Sequence, residues 1–230
     1  MRKEKPILND NLFSIDDIYL NLFHLIDANL EHFISFKKEA ETVKKEFGEM
    51  KKNKLESEPD ISNSLDSFFN FELPESPFEF HFKNEYKVTE KNEKTDIGVI
   101  SKKYNKHLVI CFIEAKRLPT DVIGGIREKE YVLNGIERFK TTKHGNKLPF
   151  SIMVGFIQQE NENHWHNKVN EWISEQIQKS SNENISWIEE DMLSKDLNFN
   201  TKELITKYTS EHLKSNSEKI KLIHYWIDLN

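Results

Sequence analysis

The chain has 230 residues, 37% of them hydrophobic and 31% charged, with a formal net charge of −6 and a single cysteine. That length can bury a sizeable core in one elaborated domain, and the lone Cys111, set in an apolar run as a buried thiol, excludes an internal disulfide framework and any four-cysteine metal site. No run of about 18 apolar residues occurs and the opening MRKEKPILND lacks the apolar core of an export signal, so the expected setting is the cytoplasm, without membrane contact. The acidic total hides a division. Residues 1–93 hold 13 basic and 20 acidic side chains and 148–230 hold 8 and 13, whereas 94–147 hold 12 and 6. The central segment can therefore present a local positive surface that attracts phosphate.

In chain order, Ser14 is a fitting N-cap, Asp16 and Asp17 fall in a first turn, and apolar residues recur with helical spacing at Ile18, Leu22, Leu25, Ile26, Leu30, Phe33 and Ile34. The pattern thins to Val43, Phe47 and Met50 among charges; a solvated face is one reading, and a homodimer or partner-protein contact is the other. These features predict an N-terminal helical extension over 1–56, ahead of a main domain over 57–230. A second helix opens at Ser57, with Pro59 in its first turn and Asp60 at the capping-box position, and FELPESP ends it. Alternation of Phe78, Phe80 and Phe82 with polar residues predicts a strand with one buried face. DIGVIS and HLVICFIEA follow as β-rich runs across a polar turn, then a helix over GGIREKEYVLNGIERFK, a buried strand LPFSIMVGFI and a helix over NHWHNKVNEWISEQIQ. The tail reads as ISWIEEDML, a short helix near 200–214 and a last strand KIKLIHYWI. His164, His166 and His144 read as surface histidines, and His224, on one strand face with Leu222 and Trp226, as a core or partner-facing one. Helices flanking a β-rich centre make an α/β domain with a central mixed sheet.

The two runs around the polar turn carry the chemistry. With Asn105 at the centre of the turn, an antiparallel hairpin sets Asp96 opposite Glu114. Opposed side chains lie about 4.5–5.5 Å apart at Cβ on one face, and Lys116, two residues further on, shares that face. Two opposed carboxylates repel unless something positive lies between them. A divalent cation with hard oxygen ligands is the natural occupant, and the lysine itself is the other. With a metal, such a site polarises a phosphoryl oxygen and lowers the pKa of bound water, which is the chemistry of phosphodiester hydrolysis. Glu-x-Lys also occurs at 49–51 and 85–87, but only the triplet at 114–116 follows an apolar strand with a paired DIGV run. An ordinary salt bridge at a hairpin end is the plain alternative.

On these residues the chain resembles the PD-(D/E)XK nuclease superfamily, with its restriction-endonuclease-like fold, over roughly residues 57–160. Asp96 matches the Asp at the start of one core strand, and Glu114, Ala115 and Lys116 match the acid-x-Lys of the next; Thr95 stands where the motif has proline. The resemblance implies Mg2+, with Mn2+ as a substitute, held by Asp96, Glu114 and the Ala115 carbonyl, while Lys116 assists the attacking water. Such enzymes tend to add an acid from an early helix. Glu58 is the candidate here, although Glu58 and Asp60 also suit the positive end of a helix dipole. The superfamily often carries Gln-x-x-x-Tyr on the next helix, where this chain has Arg127 and Tyr131. Arg127, Tyr131, Asn134 and Arg138 form one stripe at helical spacing, and Lys140, Lys143, His144 and Lys147 extend it as expected phosphate contacts. The activity implied is a Mg2+-dependent nuclease, with DNA favoured over RNA, in a defence or repair setting. The alternative is a catalytically inactive module of the same fold that binds nucleic acid or protein.

Overall fold

The computed structural model of the chain describes residues 14–46, 57–74, 76–88, 93–102, 108–118, 129–141, 147–179, 185–200 and 203–230. Helix α1 (Ile15–Glu46) starts as its sequence dictates. The Ser14 hydroxyl accepts from the Asp17 amide at 3.2 Å, and the Asp17 carboxylate accepts from the Ser14 amide at 2.6 Å, a reciprocal capping box. Ser57 caps α2 (Glu58–Phe71) by accepting from the Asp60 amide.

Seven strands form one mixed sheet in the order β1-β2-β3-β4-β7-β6-β5. They are β1 (Phe80–Lys87), β2 (Lys94–Ser101), β3 (Leu108–Leu118), β4 (Phe150–Ile157), β5 (Ser194–Lys195), β6 (Ile205–Leu213) and β7 (Lys219–Asp228). The central β3, β4 and β7 run parallel, and antiparallel neighbours extend the sheet on both sides. Both faces are covered, which is why these strands read as nearly continuous apolar runs. Along β7, Ile223, Tyr225 and Ile227 enter the core beneath α1 and α2. Ile220, Leu222 and Trp226 face the other side, where a π-helical turn (Val132–Ile136) leading into α3 (Glu137–Lys140), and α4 (Glu162–Lys179), pack. Cys111 and His224 are buried.

The boundary expected near residue 56 does not separate two cores. Ile18, Leu22, Ile26, Leu30 and Phe33 of α1 share one cluster with Ile61, Leu65 and Phe68 of α2 and with the sheet. Val43 has no described side chain, and Phe47 and Met50 lie outside the described residues. The helix expected near 200–214 is strand β6, hydrogen-bonded to β7 in register from Ile205↔Ile227 to Leu213↔Lys219. Its polar residues obscured the alternation, because Lys207, Ser210 and His212 are themselves buried and find partners inside. No described helix is long and apolar enough to cross a membrane.

Polar pins hold α1 to the sheet. The Tyr19 hydroxyl donates to the Ile110 carbonyl at 2.9 Å, and Asp27 accepts from Lys207 Nζ at 2.7 Å and from the Tyr225 hydroxyl at 2.6 Å. Asp27→Ala would leave a buried ammonium and a buried hydroxyl short of their acceptor. It is expected to destabilise the protein by about 3 kcal/mol in urea denaturation; a loss below about 1 kcal/mol would mean that this pin is not what fixes α1.

Candidate functional site

The expected register is present where it matters. Ile97 pairs with Ile113, Gly98 with Phe112 and Val99 with Cys111, the alignment that sets Asp96 across from Glu114; one residue of slip enters only beyond Val99, toward the turn. Below Ile97 the two strands part, and side chains take over from the backbone ladder. Thr95 Oγ1 donates to the Ile113 carbonyl at 2.9 Å, and Asp96 Oδ2 accepts from the Ala115 amide at 2.7 Å. Threonine where the motif has proline thus supplies a hydroxyl that continues the pairing. The N–H and C=O of an antiparallel strand residue point the same way, so the Ala115 carbonyl lies on the edge that Asp96 approaches.

Glu114 and Lys116 project to the opposite face from Ile113 and Ala115 and are buried, at 0% and 3% exposure. Lys116 Nζ donates to Glu114 Oε1 at 2.9 Å and to Glu58 Oε1 at 2.9 Å. Glu58 therefore reaches the cluster from the first turn of α2. Arg138 completes the group, donating from a terminal guanidinium nitrogen to Glu114 Oε1 at 2.8 Å. Three carboxylates thus face two cations.

Burial pushes the Glu114 carboxyl up to about 7 and proximity to Asp96 adds to this, while Lys116 and Arg138 pull against it. Burial also raises Asp96, opposed by Lys116 and the Ala115 amide. Lys116 is held above the usual lysine range because Glu114, Glu58 and Asp96 outweigh its own desolvation. The ammonium stays charged, and the Glu114 carboxyl sits near neutrality.

The helix stripe comes apart. Tyr131 is fully buried, its hydroxyl 2.9 Å from His224 Nδ1 and 2.9 Å from Trp226 Nε1, so it is no phosphate contact. Lys140 is fully buried too, with Nζ 2.5 Å from Asp191 Oδ1. For the residues after Tyr131 the angle is set by the π-helical turn over Val132–Ile136. An extra residue in one turn rotates everything after it by about 100°, which helical spacing from sequence cannot anticipate. That rotation puts Lys140 inside and aims Arg138 at Glu114. Gly135 permits the close packing: a Cβ there would lie 2.6 Å from Met153 Cε, and 3.7 Å from Lys116 Cγ. Asn134 and Lys147 are exposed, whereas Arg127, Lys143 and His144 lie outside the described residues.

An open cleft of about 230 Å³, lined by Lys94, Asn134, Glu137, Arg138 and Thr141 among others, meets the cluster at Arg138. A larger hollow of about 450 Å³ beside Leu25, Phe69, Leu73 and Phe80 touches none of the candidate residues. Among the described residues no three His, Cys, Asp or Glu side chains converge as a ready-made ion site. In kind, however, the oxygens of Asp96, Glu114 and Ala115 are the hard donors that Mg2+ takes. Comparison with family models, with curated proteins and with solved structures gives no match.

The upward carboxyl shifts have a definite sign. The folded protein keeps protons that the unfolded chain has already released, so stability contributed by these groups is lost as pH rises from the ordinary carboxylate range through about 7. In chelator, Glu114→Gln is expected to gain on the parent by up to about 3 kcal/mol between about pH 5 and pH 8 in urea denaturation. A difference that does not change with pH would show that Glu114 does not titrate there.

Proposed function

We propose that the protein is a Mg2+-dependent nuclease of the PD-(D/E)XK type with a restriction-endonuclease-like fold, acting on DNA in preference to RNA. One observation carries this reading: among the described residues, Glu58, Asp96 and Glu114 gather with Lys116 and Arg138 at the end of the central strands, three carboxylates beside two cations in a largely buried place. An ion cluster in such a place adds no dependable stability, whereas an unbalanced one suits a cation brought from outside. Asp96, Glu114 and the Ala115 carbonyl would hold the metal, Mn2+ serving as a substitute. When bound it would supply Lewis-acid polarisation of a phosphoryl oxygen and a more acidic water. Lys116, fixed between Glu114 and Glu58, orients that water and stabilises developing negative charge. Arg138, with 38% of its side chain exposed, is the cation able to turn from Glu114 to a phosphate oxygen at the rim.

A second reading has its own support. Lys116 and Arg138 already engage Glu114, as they would in a module of the same fold that binds nucleic acid or protein without turnover.

Incubating purified protein with plasmid, linear DNA and RNA, in Mg2+, Mn2+, Ca2+ or chelator, separates the two. Cleavage in Mg2+ and Mn2+ is expected, with binding but little turnover in Ca2+. Asp96→Asn and Lys116→Met should each lower cleavage about a hundredfold or more while the fold persists. Undiminished cleavage in Asp96→Asn or in chelator would overturn the metal site. DNA binding without cleavage under every condition would establish the module instead.

A further inference from the structure

Behind the candidate site, on the α4 side of the sheet, seven side chains that take no part in it form one buried hydrogen-bonded chain. Trp226, Tyr131, His224, Ser210, His212, Asp191 and Lys140 are each no more than 3% exposed. Trp226 Nε1 lies 2.9 Å from the Tyr131 hydroxyl, which lies 2.9 Å from His224 Nδ1. His224 Nε2 lies 2.7 Å from Ser210 Oγ, and Ser210 Oγ lies 2.6 Å from His212 Nε2. His212 Nδ1 lies 2.5 Å from Asp191 Oδ1, which also takes Lys140 Nζ at 2.5 Å. Asp191 Oδ2 accepts the Ile188 amide at 2.7 Å.

The two ends fix the direction of every link. An indole N–H can only donate, so the Tyr131 oxygen accepts from Trp226 and its own proton goes to His224 Nδ1. His224 must then carry its proton on Nε2 and donate it to Ser210. Ser210 in turn donates to His212 Nε2, leaving the His212 proton on Nδ1, where it meets the Asp191 carboxylate. Each indole, hydroxyl and imidazole proton finds an acceptor, and both rings are neutral.

The Asp191, His212 and Ser210 stretch has the bonding order of a nucleophile triad, but access rules that use out. Asp191 comes from the Glu189–Asp191 turn packed against β6, so lifting that turn to expose Ser210 would carry the carboxylate away.

We infer that this chain is an acid-labile clasp, which holds His224 and His212 neutral in opposite tautomers while tying the Glu189–Asp191 turn and the end of α3 to the sheet. An added proton has no place in it. On His224 Nδ1 it would turn the Tyr131 hydroxyl proton away from its acceptor, and on His212 Nε2 it would do the same to Ser210. The surrounding groups give no relief. His212 faces Lys140 beyond Asp191, with Glu211 beside it on β6. The β4 residue paired with His224 is the uncharged Met153, and the α4 histidine, His166, stacks on Tyr208 and is 3.1 Å from the Leu193 carbonyl. Burial holds both imidazoles below the ordinary histidine range. Below about pH 6.5 the unfolded chain therefore binds protons that the folded chain refuses, and each ring weakens folding by up to about tenfold per pH unit.

Nitrogen-15 NMR of the full chain labelled at histidine tests the clasp directly. His224 protonated at Nε2 and His212 at Nδ1, both unchanged as pH falls to the unfolding transition, is the expected result. The same tautomer in both rings, or titration of either within the intact fold, overturns it. Urea denaturation of the parent and His224→Gln between about pH 7.5 and 5.5 should show the parent losing up to about tenfold more in its folding constant per pH unit below about 6.5; equal losses would refute acid lability. Where His224→Gln does not fold, the NMR result on the parent decides.

Discussion

A carboxylate with no exposed surface in the middle of a sheet is the constraint around which this molecule is arranged. Glu114 is tolerable there with charged donors within reach, Lys116 two residues along its own strand and Arg138 from the helix across the face, while Glu58 from the helix on the other side accepts from Lys116 in turn. Two features of the fold accompany this arrangement. The β2 and β3 strands separate below Ile97 so that Asp96 and Thr95 can bond β3 through their side chains. At Gly135 the helix packs close to the sheet, where a Cβ would press on the end of the Met153 side chain.

The short helical segment before Lys140 is the node between two polar systems on one face. Tyr131 enters the buried chain through His224, Arg138 turns toward Glu114, and Lys140 reaches Asp191. A regular α-helix could not serve all three, because the π-helical turn between Tyr131 and Arg138 sets their relative directions. Displacement of this segment would disturb the carboxylate cluster and the clasp together, although no hydrogen bond among those described runs directly from one to the other.

How much of this was legible follows from which signals are local. Both N-caps, the Phe78 and Phe82 face and the Asp96 to Glu114 alignment are visible in sequence because each depends on neighbouring residues or on symmetry about one turn. The contact of Arg138 with Glu114 is not legible in sequence, because a π-turn leaves no periodic trace, and Tyr131 and Lys140, expected outside, are inside because their partners His224 and Asp191 are distant in the chain. Strand β6 was read as a helix since Lys207, Ser210 and His212 break the apolar pattern. Their partners Asp27, His224 and Asp191 lie 14 to 180 residues away, beyond the reach of any local window.

The two buried charged systems of the fold differ in how their charges balance. In the clasp, Lys140 balances Asp191 one for one, the remaining members are neutral, and the donor-only indole and the acceptor-only carboxylate terminate a chain with every proton assigned. The indole, hydroxyl and imidazole protons of that network are all committed within it. Around Glu114, among the described residues, three carboxylates gather with two cations, the Glu114 carboxyl is pushed up to about 7, and one of the two cations is partly open to solvent beside a cleft. An added positive charge there would offset the repulsion among the carboxylates, and in the function proposed above a metal ion supplies that charge. It is this imbalance, more than the Glu-x-Lys spacing, that sets the end of β3 apart from the other buried ion pairs of the fold.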